Sequence, residues 1–218
     1  MISILIPIYN GIEFLEDSIN SVLQQTMNSW EILIGINGYP PNSSVYKIAK
    51  KYEQKDKIRV FDFHEIRGKT NTLNELIKYC KYNYIALLDV DDIWYPQKLE
   101  LQIPYLEQYD IVVSKCIYFG DLNYSPDIPD GDISTFDFRQ KNPIINSSVI
   151  IRKELCKWNN IILEDYDLWI RLRKQGKPFY NCSEILVKHR IHENSAFNSK
   201  LNEDHVKALL SLHFYNNV

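Results

Sequence analysis

The stretch Leu87-Leu88-Asp89-Val90-Asp91-Asp92-Ile93-Trp94 sets three carboxylates within four positions, directly after an apolar run. Read as the end of a buried strand, it puts Asp89 and Asp91 on one face and Val90 on the other. Two carboxylates that close repel each other, and protonation, a basic partner or a cation must relieve them. A hard divalent ion with oxygen ligands, Mn²⁺ or Mg²⁺, does so and can bridge to substrate phosphates. The competing reading is that an aspartate, Asp92 foremost, caps a helix beginning near Trp94 while the others face water.

Two basic groups offer partners for a phosphate in the same place. In Arg67-Gly68-Lys69-Thr70 the glycine permits a tight turn, and Arg67 and Lys69 lie just before an expected helix. The spacing is not that of a Walker loop, and no G-x-G-x-x-G follows the first strand. His189, Arg190 and His192 form a second cluster after a strand, where a histidine can ligate a metal and Arg190 can meet phosphate; scattered surface histidines are the plain alternative. A second acidic group, Glu164, Asp165 and Asp167, opens a late helix. Carboxylates there suit the helix-end amides, and equally suit a base that takes a proton from an attacking hydroxyl while standing apart from a metal.

The elements that must position these groups are legible as apolar runs. ISILIPI (2–8) and WEILIGI (30–36) are strand-length, separated by Phe14, Leu15, Ile19, Val22 and Leu23 at near-helical offsets. The pattern repeats as a helix over 45–55, a strand over 58–63, a helix over 72–81 with Leu73, Leu76, Ile77 and Cys80 on one face, and a strand over 84–90. Such alternation predicts an α/β fold, with a mostly parallel open sheet and helices on both faces. Beyond Asp92, Pro96 stands near a helix start and Pro104 is expected to interrupt that helix. A strand over 110–120 precedes an excursion over 120–143, a candidate lid with prolines at 126, 129 and 143. A strand and short helix follow over 144–156. The late helix over 163–177 carries Tyr166, Leu168, Trp169 and Leu172 inward, with an acidic cap and a stop at Gly176. A strand and polar loop over 178–197 and a closing helix over 201–215 complete the reading. Trp94 and Trp169 are assigned to the core.

With 218 residues, the chain fits one domain that buries a sizeable core. Its 25 basic and 28 acidic residues give a charge of -3 and no basic block, so a nucleic-acid partner is not expected. Cysteines 80, 116, 156 and 182 lack disulfide or zinc spacing and read as free core thiols in a reducing compartment. The opening run has no basic leader or cleavage site and no run reaches bilayer length, so the expectation is a cytoplasmic protein without a transmembrane segment. Glycosylation-type triplets at Asn42 and Asn146 are then idle.

Taken together, ISILIPIYNGIEFLEDSINSVLQQTMNSWEILIGING, GKTNTLN, YIALLDVDDIWYPQKLE, NSSVIIRK and LEDYDLWIRLRKQG resemble the family 2 glycosyltransferases of the GT-A fold, in the family's order over about residues 1–195. The resemblance implies a single domain over 1–218, with 1–92 as the nucleotide-sugar-binding half and 93–218 as the acceptor-side half. It implies that Pro7 and Tyr9 line the nucleoside, that Lys69 approaches the nucleotide, and that Asp89 and Asp91 form a D-x-D holding Mn²⁺ or Mg²⁺ against the sugar diphosphate. Asp165 is then the base of an inverting transfer, with Glu164 beside it and Asp167 an open alternative. Asp92 matches a frequent extra aspartate, and His192, with Arg190 near it, sits where a late residue approaches the diphosphate.

One departure stands out: members commonly carry an acid at the end of the second strand to read the base, whereas this chain has Ile36-Asn37-Gly38-Tyr39. Asn37 can take that role only with different geometry. UDP-sugars are the first expectation, and GDP- and dTDP-sugars stay open. The chain ends without the apolar helices or Q-x-x-R-W stretch of processive synthases, so the resemblance implies transfer of one sugar to a hydroxyl of a glycan or other acceptor. Two alternatives are a non-catalytic nucleotide-sugar-binding partner of a glycosylation assembly, marked by loss of the late carboxylates, and a sugar nucleotidyltransferase, marked by an early glycine-rich loop. The chain keeps the first and lacks the second.

Overall fold

The computed structural model describes residues 1–193 and 203–215. Its first half alternates β1 (Ile2–Ile8), α1 (Leu15–Leu23), β2 (Trp30–Asn37), α2 (Ser44–Lys50), β3 (Ile58–Phe63), α3 (Lys69–Tyr79) and β4 (Tyr84–Leu87). These four strands are parallel, in the order β3-β2-β1-β4. Because side chains alternate along each strand, Ile4, Ile6 and Ile8 join one core layer while Leu5 joins the other. Leu15, Ile19 and Val22 of α1 fill the first layer, and Leu73 and Leu76 of α3 the second. Burial on both faces is why these strands are continuously apolar.

The second half holds β5 (Ile93–Trp94), α4 (Lys98–Gln102), β6 (Ile111–Gly120), β7 (Gly131–Asp132), β8 (Ile150–Arg152), α5 (Glu164–Lys174), β9 (Phe179–Ile191) and α6 (Glu203–Leu210), the last extended by a turn over Ser211–Tyr215. The sheet runs β3-β2-β1-β4-β8-β6-β9-β5. Here β8 is antiparallel to β4 and β6, β6 and β9 are parallel, and β5 and β7 are antiparallel to β9. The result is a largely parallel sheet with a mixed second half, flanked by helices: a GT-A-like α/β fold. At the far end of β6, Gly120 has φ 96 and a Cβ there would lie 2.4 Å from the Ile191 carbonyl oxygen, so only glycine lets β6 and β9 close together.

Several boundaries differ from the sequence reading. β4 stops at Leu87, and Asp89–Asp92 is a turn closed by the Asp92 N–H on the Asp89 carbonyl at 3.1 Å, so strand alternation does not set the carboxylate directions. Ile93 and Trp94 pair with β9, and the helix waits until Lys98. As expected, the α-helix is interrupted at Pro104: it stops at Gln102 and the chain tightens into a 3₁₀ segment over Ile103–Glu107, with the proline in its first turn. No acidic side chain caps α5: Leu163 occupies the cap in a left-handed conformation, and the acids of the first turn have other partners. The 120–143 excursion is pinned by β7 and by buried Ile128, Ile133 and Phe138. Trp94, Trp169 and the four free cysteines are buried. The expected loop over 194–197 and the start of the closing helix at 201–202 lie outside the described residues.

Candidate active site

The parallel strands end along one edge, and Asn37 ties the pieces there together. Its side chain is 1% exposed, donates to the Ile8 carbonyl at 2.9 Å and accepts from the Gly68 N–H at 3.1 Å. Both amide ends are thus engaged with backbone, with one N–H and one oxygen lone pair left over at the strand end. Gly68, at φ 86 and ψ 151, turns the chain so that α3 begins at Lys69. From that first helical position the Lys69 ammonium reaches 2.8 Å from Asp89 Oδ1 and 3.5 Å from Asp165 Oδ2. Asp89 is held further by the Asn146 amide, at 3.0 and 3.2 Å, and its N–H donates to Ser147 Oγ at 3.0 Å.

The charges account for the titration behaviour. Burial alone would depress Lys69, but Asp165, Asp89 and Glu164 hold it well above the usual lysine range. Burial would raise Asp89, and the Lys69 ammonium outweighs it, leaving the carboxyl below its ordinary value. Asp91 is pushed up by burial and by the charges of Asp92 and Asp89; its Oδ2 lies 3.1 Å from His192 Nε2. Asp92 is fully buried and accepts from His189 Nδ1 at 2.9 Å and the Arg190 N–H at 2.8 Å, which fastens the aspartate turn to β9. Burial opposes the His189 charge, but Asp92 raises its pKa to about 9, so His189 is an imidazolium at neutral pH. Arg190 lies between the rings of Phe14 and Phe119, at 4.4 and 4.5 Å, donating to the Asp91 carbonyl and to Asp17 at 2.9 Å each.

A cavity of about 490 Å³ opens beside this turn, with Lys69, Asp89, Asn146, Glu164, Asp165 and His189 among its polar lining and Ile144, Leu163 and Val206 among its apolar walls. Of the site residues read from the sequence, the structure gathers Lys69, Asp89 and Asp165 here. Asp91 on the turn, and Arg190 and His192 at the end of β9, are not part of that wall. Pro7 and Tyr9 form a separate rim at the end of β1, where the half-exposed Tyr9 packs over Gly38, its carbonyl accepts from the Tyr39 hydroxyl, and the two rings are 6.0 Å apart. Asp167 faces away: it is 1% exposed, accepts from Asn159 at 3.0 Å and Arg171 at 2.8 Å, and meets His213 Nε2 at 2.7 Å. Sequence reasoning missed Asn146 and Ser147. Nothing local marks a residue 57 positions from Asp89 as its partner, although a polar Asn-Ser-Ser run straight before an apolar strand was the available signal.

Among the described residues, no three or more His, Cys, Asp or Glu side chains gather as a ligand set for a metal. The donor set that fits a divalent ion is a pair, the Asp91 carboxylate and the His192 imidazole, 3.1 Å apart. An ion seated there would complete its shell with phosphate oxygens and water, the usual arrangement for Mg²⁺-type sites.

The fold matches solved structures. S. aureus TarS (1–349), solved with UDP-GlcNAc, superposes with a TM-score of 0.78 over 99% of this chain and 66% of that one, at 16% identity. A mannosyltransferase, PcManGT from Pyrobaculum calidifontis, solved with GDP-Man and Mn²⁺, gives 0.67 over 91% of this chain and 59% of that one, at 13% identity. In sequence, residues 3–160 match the family model for glycosyl transferase family 2. The amylovoran biosynthesis glycosyltransferase AmsE of Erwinia amylovora is 31% identical over 87% of this chain and 76% of its own length. WfgD of Escherichia coli, a UDP-Glc:alpha-D-GlcNAc-diphosphoundecaprenol beta-1,3-glucosyltransferase, is 27% identical over 93% and 82%. The chain belongs to glycosyl transferase family 2. Among the described residues, no helix is long and apolar enough to cross a membrane.

Proposed function

We propose that this protein transfers one sugar from a nucleotide-sugar to an acceptor hydroxyl with inversion at the anomeric carbon, and that Asp165 is the base. The observation that carries the reading is the Lys69 ammonium standing between Asp89 and Asp165 in the lining of the cavity. Residues 1–92 supply the nucleotide side, with Pro7 and Tyr9 against the nucleoside, and residues 93–218 supply the acceptor side. Lys69 orients Asp165 through their 3.5 Å contact while the diphosphate lies over the aspartate turn. Asp165 takes the proton as the acceptor oxygen bonds to C1 from the face opposite the leaving nucleotide, and the C1–O bond to the diphosphate breaks with its electron pair. Asp91 and His192 would hold Mn²⁺ or Mg²⁺ beside Asp89, and that ion, when bound, neutralises charge on the departing diphosphate. A UDP-sugar donor is favoured by TarS and WfgD, the first solved with UDP-GlcNAc and the second named for UDP-Glc. WfgD, named for alpha-D-GlcNAc-diphosphoundecaprenol, also favours a saccharide acceptor.

The test is Asp165→Asn, assayed with UDP-Glc, UDP-GlcNAc and GDP-mannose in Mn²⁺ and in EDTA. Transfer falls by about 100-fold or more, the usual size of a lost general base, while donor binding by calorimetry stays within about threefold. Undiminished transfer removes Asp165 from the mechanism. Donor binding without turnover in the wild type favours the non-catalytic partner.

A further inference from the structure

Helix α4 presents two fully buried polar side chains to the sheet, Lys98 and Gln102, one helical turn apart. Lys98 Nζ and Gln102 Oε1 have no hydrogen-bond partner among the described residues. Unpaired buried groups of this kind destabilise a fold, and burial also pushes the Lys98 ammonium down to about 7. The fold would be better served by methionine at position 98, so the lysine invites an explanation outside stability.

The contacts of both residues lead to one place. Lys98 Nζ lies 4.1 Å from the centre of the Trp94 ring, and the Trp94 Nε1–H donates to the Ser147 carbonyl at 2.8 Å. Gln102 Nε2 donates to the Ser148 carbonyl at 2.9 Å. The Asn146–Ser148 turn is therefore gripped from beneath at two consecutive carbonyls. On its other side, the same turn offers Ser147 Oγ to the Asp89 N–H and the Asn146 amide to the Asp89 carboxylate. The α4 end of the clamp is itself anchored, because Gln25 accepts from the Leu99 N–H at 3.1 Å and donates to the Tyr95 carbonyl at 2.9 Å. An ammonium over an indole face fixes the tilt of the ring through its quadrupole, whereas an alkyl chain fills the volume without directing it.

We infer that Lys98 and Gln102 are positioning residues that act through Trp94 and the Asn146–Ser148 turn to fix where Asp89 stands. The role in donor binding rests on the function proposed above; the structural coupling to Asp89 does not.

Two variants test it, Lys98→Met and, should that one fail to fold, Gln102→Met. For Lys98→Met, Tm rises by about 3 °C or more as the buried ammonium is removed. At the same time NMR-detected exchange of the Asp89 amide quickens by roughly tenfold relative to the core amides of Ile4 and Ile34. With the donor that the wild type turns over, KM rises about fivefold and kcat changes less than twofold, and the same substitution in an Asn146→Ala background adds less than about twofold. For Gln102→Met, the Asp89 amide quickens in the same selective way. Wild-type exchange at Asp89 overturns the inference, as does a fall in Tm with all amides quickening alike. A wild type that turns over no nucleotide-sugar sinks the proposed function, while the exchange comparison still decides this inference.

Discussion

Replacing Lys69 with methionine should cost both stability and donor affinity, and the geometry sets the scale. At an effective dielectric near 20, contacts of 2.8 and 3.5 Å to Asp89 and Asp165 correspond to about 6 and about 5 kcal/mol of gross attraction. Desolvation of three groups and repulsion between the carboxylates offset much of that. Breaking a buried pair costs about 3–5 kcal/mol net. The three side chains are 28%, 23% and 22% exposed, and the solvent screening this permits favours the lower end, about 3 kcal/mol. In a domain of this size such a loss lowers Tm by about 6–12 °C. Urea unfolding of the wild type, Lys69→Met, Asp89→Asn and the double variant closes a mutant cycle, in which the coupling between Lys69 and Asp89 should exceed about 1 kcal/mol. Calorimetry on whichever variants stay folded should find nucleotide-sugar affinity reduced at least about tenfold in Lys69→Met, through the displaced Asp89. A Lys69→Met variant within about 1 °C of wild type, or additive single effects, would refute the assignment of Lys69 as the group that holds the two carboxylates.

Three further outcomes follow from the charges. Asp167→Asn removes the anion shared by Arg171 and His213, so stability falls by about 2–4 kcal/mol while transfer by the folded variant stays within about threefold; a loss as deep as that of Asp165→Asn would transfer the base to Asp167. Lys98 has a folded pKa of about 7 against an ordinary 10.5, so the unfolded chain binds more protons between those values and stability rises with pH across that window. Calorimetric Tm should climb from pH 7 to 9 in the wild type and climb less in Lys98→Met; identical slopes would remove Lys98 as the cause. In Asp91→Asn the donor affinity should lose its response to Mn²⁺ and EDTA, and a response like that of wild type, followed by titration calorimetry, would take the ion away from Asp91.

Much of the scaffold was legible because parallel strands buried on both faces have to be apolar throughout, as ISILIPI and WEILIGI are, and because α1 and α3 carry apolar residues at helical offsets. The limits of the sequence reading are equally physical. Ile93 and Trp94 pair with β9, about 95 positions away, and no local pattern distinguishes that pairing from the start of a helix. The acidic residues around Tyr166 read as a cap, yet Asp165 answers to Lys69 from α3, while Asp167 answers to Arg171 one turn along its own helix and to His213 from far along the chain. Asn146 drew attention only as part of a glycosylation-type triplet, because its partner, Asp89, comes from another strand end. Sequence spacing placed the carboxylates in two groups; which partner most of them meet is decided by elements that fold back from far along the chain.

That distribution of cations explains the spacing of the aspartates better than strand alternation does. Three carboxylates in one turn cannot share a single counter-charge, and each meets a different group: Asp92 the His189 imidazolium, Asp89 the Lys69 ammonium, Asp91 a ring nitrogen of His192. The first contact is buried and fastens the turn to β9. The second links the turn to α3 and, through the same ammonium, to Asp165 on α5. The third joins two groups that are both metal ligands by chemistry, at the point of the turn where a diphosphate-bound ion is proposed to sit. Moving any aspartate by one position would exchange these partners, and at the fully buried Asp92 position it would leave a carboxylate without its cation, at a cost of several kcal/mol. The turn therefore constrains the order as well as the number of its acids, and an Asp91-Asp92 exchange with a neighbouring residue should cost stability as well as donor affinity.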